Sequence, residues 1–317
     1  GMNEDFTGFG TKNTSAVYNF NSPSGIKAPA SYARPHGNFG WAHKPPPFAG
    51  AYLLSGRSAF LDLLIDQMGG AVLAGVFLGG NARTNASVEV NGTVYWRCTV
   101  ANNQQTRVGA WMHRDAAWVA ICAPSSWRGA DPRSYAIAVL QSTADCLLAR
   151  WAHESNAFQQ ANKLWPVHNQ YSTDSGSTGS WSTWQGNGYF GISALIGYLA
   201  SGDADMKTVI ENILAFWKNA ADNKSAGADI YGSYKPHVIP PMTAANVAAW
   251  DDLQFVLGTS SGQLDESSMT RALLYFATAL GFNIPAGMRA ELDGWYTGTL
   301  ADFTTAPTYC FTDNFGA

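Results

Sequence analysis

Two stretches of the sequence, LLSGRSAFLDLL at residues 53–64 and YLASGDADMKTVIENIL at residues 198–214, repeat one pattern. Each contains an apolar segment, a Ser-Gly turn and a second segment whose apolar residues recur at helical spacing. Glycine ends helices because it adopts the left-handed conformation at little cost. Each stretch is therefore predicted to form two helices joined by a tight turn, which is an αα-hairpin.

The hairpin pattern recurs, less regularly, in other parts of the chain. A third runs through residues 107–124 and 131–151, and a fourth through residues 243–257 and 267–280, while residues 285–300 begin a possible fifth. Repeated helical hairpins predict a mainly α architecture in which the hairpins are stacked or arranged in a circle. We assign this domain to residues 41–317.

Three segments depart from the helical pattern. Residues 1–40 are rich in Asn, Ser, Gly and Pro, so we expect an extended segment that packs on the main domain. Residues 87–100 alternate apolar and polar positions around Asn91-Gly92, which predicts one small β-hairpin. Residues 171–182 are predicted to form a surface loop.

Composition and charge exclude several classes of protein. The 317 residues are 46% hydrophobic and only 13% charged, and their net charge is -4. Without a basic cluster, nucleic acid is not an expected partner. The longest apolar stretch is too short and glycine-rich to span a bilayer, and residues 2–20 lack the pattern of a signal peptide. We therefore expect a soluble protein without a membrane partner.

The sequence calls for no cofactor. It contains no glycine-rich nucleotide loop, no HExxH motif and no GxSxG elbow. The four cysteines show neither CxxC pairs nor zinc-finger spacing, and we interpret them as free thiols or buried packing residues. No metal site is predicted.

Two motifs carry a resemblance to a known superfamily. HKPPPFAGAYLLSG, at residues 43–56, is similar to a His-x-Pro…Tyr-Leu-Leu-(Ser/Thr)-Gly signature, and QQTRVGAWMHRDAAWVAICAP, at residues 104–124, is similar to a Gln-x-Arg…Ala-Trp-x-x-Arg helix. Both resemble an uncharacterised bacterial and phage-associated group of the six-hairpin glycosidase-like superfamily. The resemblance implies a complete or partial (α/α) toroid that acts on carbohydrate.

The helix that begins near Arg107 carries the first candidate site. Arg107, Trp111 and Arg114 recur at i, i+4 and i+7 and share one face of this approximately amphipathic helix. Flat rings suit sugar faces, and guanidinium groups suit hydroxyls or carboxylates. We interpret the three as substrate-binding residues. The alternative places Trp in the core and Arg at the surface.

His113 and Asp115 are candidate catalytic residues on the same helix. Together with Arg114 they occupy three consecutive positions, which fan out by ~100° each, so at most two of the three can act together. The alternative is a surface ion pair or a charged helix face. His43, where an aromatic loop meets a helix N-terminus, is a further catalytic candidate, although a lone histidine is also commonly structural.

The remaining candidates are aromatic, amide and carboxylate residues elsewhere in the chain. Aromatic and amide side chains stack on saccharides and hydrogen-bond their hydroxyls, and an acidic pair beside Trp250 could supply acid/base chemistry. The alternatives are inter-helix packing and solvated charges. The predicted substrate-binding members are Trp41, Trp181, Trp184, Gln185, Asn187 and Tyr189, and the catalytic ones are Asp251 and Asp252.

These features predict a carbohydrate-active protein with a poly- or oligosaccharide partner. A glycoside hydrolase-like enzyme that uses a carboxylate pair from Asp115, Asp251 and Asp252 is the favoured function. A polysaccharide lyase that uses histidine, tyrosine and arginine is one alternative. A non-catalytic glycan-binding or assembly module is the other, because function is not fixed by fold.

Overall fold

Helical segments separated by glycine turns dominate the described part of the chain. The computed structural model describes residues 47–77, 87–100, 106–166, 189–223, 234–237, 248–250, 254–257 and 264–284, all within the unit Pro47–Ala317. These residues are mainly helical, as predicted. The helices are α1 (Pro47–Ser55), α2 (Ser58–Phe77), α3 (Thr106–Cys122), α4 (Pro132–Ala152), α5 (Ala157–Asn162), α6 (Gly191–Ser201), α7 (Ala204–Asn223) and α8 (Leu264–Ala279).

The two predicted Ser-Gly turns are confirmed. Gly56 and Gly202 have φ values of 63° and 66°, and each N–H donates to the carbonyl oxygen four residues earlier, over 2.7 and 2.8 Å. Asp203 then caps the helix that follows, because its Oδ1 accepts from the Met206 N–H over 2.8 Å. Hairpins α1–α2 and α6–α7 therefore form through local interactions.

The third predicted hairpin is α3–α4. Its second helix begins at the expected cap, where the Asp131 carboxylate accepts from the Ser134 N–H over 2.9 Å and Pro132 occupies the first helical position. That hydrogen bond is the first cause of a lowered pKa at Asp131. The helix ends near His153.

The three hairpins pack against one another in a regular order. Their first helices contact in sequence, α1 with α3 and α3 with α6, and α6 also contacts α8. The second helices α4 and α7 contact each other as well, and α2 packs on α1 and α3. The apolar stripes predicted for α2 and α7 line the core between these helices: Leu61, Leu64, Met68, Met206, Val209, Ile210, Ile213, Leu214 and Trp217 are buried.

Helix α3 is more deeply buried than its sequence indicates. It packs against α1, α2, α4 and α6, and residues 112–117 are buried without exception. We expected one polar face, but neighbours cover both the apolar and the polar positions. A helix enclosed on most faces must place its polar side chains among protein partners rather than water.

The predicted β-hairpin is confirmed in β1 (Ser87–Val90) and β2 (Thr93–Trp96), which pair antiparallel. Asn91 and Gly92 both adopt positive φ, 47° and 77°, as a two-residue hairpin turn requires. Beyond the strand, the Thr99 N–H donates to Thr143 Oγ1 over 3.1 Å, which attaches this segment to α4.

The prediction of a helix over residues 243–257 is wrong for the end of that segment. Gln254–Leu257 forms strand β4, which pairs antiparallel with β3 (Tyr234–His237). A short apolar run does not distinguish a helix from a strand, and the pairing that decides it comes from a distant segment. Residues 1–40, 171–182 and 285–300, for which we made predictions, lie outside the described residues.

None of the described helices has the length and hydropathy needed to cross a membrane.

Candidate functional site

Helix α3 carries three consecutive polar side chains into the core. His113 is 0% exposed, Arg114 8% and Asp115 1%. The alternative of a solvated, charged helix face is therefore wrong for these residues. The alternative that places arginine at the surface is also wrong for Arg114. Burial of two charged groups requires that each has protein partners.

Asp115 joins α3 to α2 through a buried polar network. Its Oδ2 accepts from Gln67 Nε2 over 2.9 Å, and its Oδ1 lies 3.5 Å from Arg114 Nη2. Burial lowers the pKa of Arg114, whereas Asp115 acts in the opposite direction and favours the charged guanidinium. The ion pair thus keeps a positive charge in a place from which water is largely absent.

Arg114 also supports an aromatic pair. Its Cζ lies 4.4 Å from the ring centroid of Trp111, and the Trp111 ring meets Tyr189 edge-on with centroids 5.3 Å apart. Trp111 is half-buried and Tyr189 is buried. We call Trp111, Arg114 and Tyr189 the aromatic corner. It brings together three of the predicted substrate-binding residues, from α3 and from the turn before α6.

His113 packs against α6 within the core. The centroid of its ring lies 4.8 Å from that of the Phe190 ring. A Cβ built on Gly197 would stand 2.7 Å from the His113 Nε2. Burial lowers the pKa of His113 to about 3, and neither ring nitrogen has a hydrogen-bond partner among the described residues. His113 is therefore neutral near pH 7 and has no exposed surface.

The other predicted site residues are not placed by the structure. Arg107 lies in α3, but its side chain is outside what is described. The others lie wholly outside the described residues: Trp41, His43, Trp181, Trp184, Gln185, Asn187, Asp251 and Asp252.

Gln67 is not among the predicted site residues, yet it is 7% exposed and its Nε2 donates to Asp115. A signal for it exists. Gln67 stands three residues after Leu64 and next to Met68, both of which belong to the buried stripe of α2. A polar residue at such a position indicates a buried partner on the neighbouring helix.

The three cysteines that the structure describes agree with the prediction of free thiols or buried packing residues. Cys98, Cys122 and Cys146 are free thiols, whereas Cys310 lies outside the described residues. Within the described ranges, no three His, Cys, Asp or Glu side chains are grouped to hold a metal ion.

The fold and these contacts define a mainly α protein with a buried polar network beside an aromatic pair. Comparison of the chain with protein-family models, with curated proteins and with solved structures gave no significant match. Any functional assignment therefore rests on the residues of this chain.

Proposed function

We propose that the protein is carbohydrate-active and glycoside hydrolase-like, and that it binds a polysaccharide at the aromatic corner. The proposal is carried by the half-buried ring of Trp111, which has two neighbours. The Arg114 Cζ lies 4.4 Å from the centroid of this ring, and the centroid of the Tyr189 ring lies 5.3 Å from it. An aromatic ring fixed on two sides offers a rigid apolar surface, which binds a sugar face without a loss of rotamer freedom.

The contacts suggest separate roles for the charged residues. Asp115 has one carboxylate oxygen on Gln67 and the other near Arg114, and it is 1% exposed. We assign it a positioning role, in which it holds Arg114 against Trp111. One acid/base carboxylate of a hydrolase would then be Asp251 or Asp252, and the second would come from elsewhere in the chain.

The packing of the hairpins supports a complete or partial (α/α) toroid. In such a ring, equivalent helices of successive hairpins are neighbours, and here α1, α3 and α6 follow one another while α4 contacts α7. The sequence resemblance to six-hairpin glycosidase-like proteins points to the same arrangement. The aromatic corner lies between two equivalent helices, α3 and α6.

A non-catalytic glycan-binding module is the second candidate, and the burial of Asp115 favours it. A polysaccharide lyase receives less support from the described residues. A uronate carboxylate would need a positively charged partner, but the charge of Arg114 is already paired with Asp115. His113 has no exposed surface from which it could abstract a proton.

A glycan panel tests the proposal. The purified protein is incubated with neutral and uronic polysaccharides, and new reducing ends, ultraviolet absorbance of unsaturated products and binding are all measured. Reducing ends without absorbance are expected for hydrolysis. Both signals together would indicate elimination, and binding alone would indicate a module. Absence of turnover and binding across the panel would contradict carbohydrate activity.

A further inference from the structure

Two cysteines that are distant in the sequence meet beside the β-hairpin. Cys98 follows strand β2, and Cys146 lies in α4, which contacts β2. The thiol groups of Cys98 and Cys146 share a side-chain hydrogen bond. We call these two residues the cysteine pair. It contains none of the predicted site residues, so its chemistry is independent of the proposed glycan activity.

Two buried threonines hold the segment that contains Cys98 against α4. The Thr99 N–H donates to Thr143 Oγ1 over 3.1 Å, and Thr99 Oγ1 lies 3.3 Å from the same atom. The Thr143 hydroxyl itself donates to the Val139 carbonyl oxygen over 2.8 Å. Thr143 and Cys146 are three residues apart in α4 and therefore lie on one face of the helix. The hydrogen bonds thus hold the backbones of the two cysteines close to each other.

The members of the cysteine pair differ in accessibility and in acidity. Cys98 is half-buried, whereas Cys146 is 0% exposed. Burial and the hydrogen bond to Cys146 raise the pKa of Cys98 well above its ordinary value. The hydrogen bond from Cys98 and, to a smaller degree, the nearby Arg150 guanidinium lower the pKa of Cys146. Cys98 can therefore meet a reagent from solvent, and Cys146 forms the thiolate more readily.

We propose that the cysteine pair is a redox-sensitive site, at which a small disulfide such as oxidised glutathione converts Cys98 and Cys146 into an intramolecular disulfide. The Cys98 thiol loses its proton, and its sulfur attacks one sulfur of the reagent. The S–S bond of the reagent breaks, and the first small thiolate leaves and takes up that proton.

The second step closes the bridge. The Cys146 thiol loses its proton, and its thiolate attacks the sulfur of Cys98 in the mixed disulfide. The mixed disulfide breaks, and the second small thiolate leaves and takes up the proton from Cys146. The two cysteines are thereby oxidised, and one molecule of the reagent is reduced to two thiols. An excess of small thiol drives the same steps in reverse.

Peptide mapping of the full chain tests this proposal. Cleavage after arginine places Cys98 in the peptide 98–107 and Cys146 in the peptide 134–150, each of which contains one cysteine. The reduced protein is incubated with oxidised glutathione, its remaining thiols are alkylated, and the peptides are analysed by mass spectrometry. The two peptides are expected to be joined, and dithiothreitol should separate them. A bridge from either cysteine to Cys122 or Cys310, or no bridge, would overturn the proposal.

Two variants test the order of the steps. Cys98→Ser removes the accessible thiol, so oxidised glutathione is expected to leave the buried Cys146 unmodified. Cys122→Ser is the matched control, because Cys122 lies at the end of α3 and burial is the cause of its raised pKa. This control should form the bridge as the unmodified protein does. Attachment of glutathione to Cys146 in Cys98→Ser would contradict Cys98 as the first thiol to react.

Urea unfolding of the unmodified protein keeps the test valid if Cys98→Ser does not fold. The disulfide closes a loop from residue 98 to residue 146 and restricts the unfolded chain. The oxidised protein is therefore expected to have a higher urea midpoint than the reduced protein, and dithiothreitol should reverse the increase. Equal midpoints of the two forms would contradict a disulfide that fits the native structure.

Discussion

At the scale of single residues, the decisive feature is the polar triplet His113, Arg114 and Asp115. The sequence identifies these residues as candidates because three polar side chains interrupt an apolar helix. It does not reveal their burial, because the residues that cover them come from α2 and α6, far away in the chain. Gln67 illustrates the same limit, since its partner becomes evident only when the helices are packed.

Removal of the Asp115 charge should be costly. Asp115→Asn leaves the buried guanidinium of Arg114 without its counter-charge, and we expect the free energy of unfolding to fall by about 3 kcal/mol. Asp62→Asn is the matched control, because Asp62 pairs with an arginine, Arg128, that is 70% exposed. That change should cost less than about 1 kcal/mol. Urea unfolding measures both, and equal losses would contradict the buried ion pair.

His113 should make stability depend on pH. Its pKa is about 3 in the folded protein, against 6.5 for an unperturbed histidine, so the unfolded chain binds the additional proton as pH falls. The contribution of neutral His113 is complete above about pH 6.5 and is lost toward pH 3, with about 2 kcal/mol lost by pH 5.

The check compares the free energy of unfolding at pH 7 and pH 5. His113→Gln should reduce the difference between the two values, whereas His153→Gln, at an exposed position, should preserve it. An unchanged pH dependence in His113→Gln would show that the folded protein admits a charged histidine at this position.

At the scale of elements, local signals determine most of what could be predicted. The turns at Gly56 and Gly202, the cap at Asp131 and the Asn91-Gly92 hairpin follow from neighbouring residues, and all appear where the sequence places them. Strand β4 does not, because a run of only three apolar residues, Phe255–Leu257, becomes a strand only through its pairing with residues 234–237.

Close packing between elements should make one glycine indispensable. Gly197 of α6 lies so near α3 that an added Cβ would stand 2.7 Å from His113 Nε2 and 3.5 Å from Leu140. Gly197→Ala is expected to destabilise the protein by about 1–3 kcal/mol, because both neighbours are fully buried side chains of the core.

Gly50→Ala is the matched control in α1, where an added Cβ would meet nothing within 4 Å. It should stabilise the protein by about 0.5–1 kcal/mol, since alanine has the higher helix propensity. Thermal unfolding separates the two variants, and a neutral Gly197→Ala would contradict the close approach of α6 to α3.

At the scale of the whole molecule, the proposed glycan site depends on the order in which the helices pack. Repetition of the hairpin in the sequence predicts that equivalent helices stack, and the contacts of α1 with α3, α3 with α6 and α4 with α7 follow that order. The sequence could not predict which side chains meet across this stack. The aromatic corner joins Trp111 and Tyr189, which are far apart along the chain, and only the packing of α3 on α6 brings them into contact.

The most direct test is the dissociation constant of a bound glycan, measured for the unmodified protein, Trp111→Ala and Trp127→Ala. Trp127 is also half-buried but donates to Asp62 over 2.8 Å, outside the aromatic corner. If the aromatic corner binds sugar, Trp111→Ala should weaken binding by about tenfold while Trp127→Ala leaves it unchanged. Equal affinity in the folded Trp111→Ala variant would contradict a glycan site at this corner.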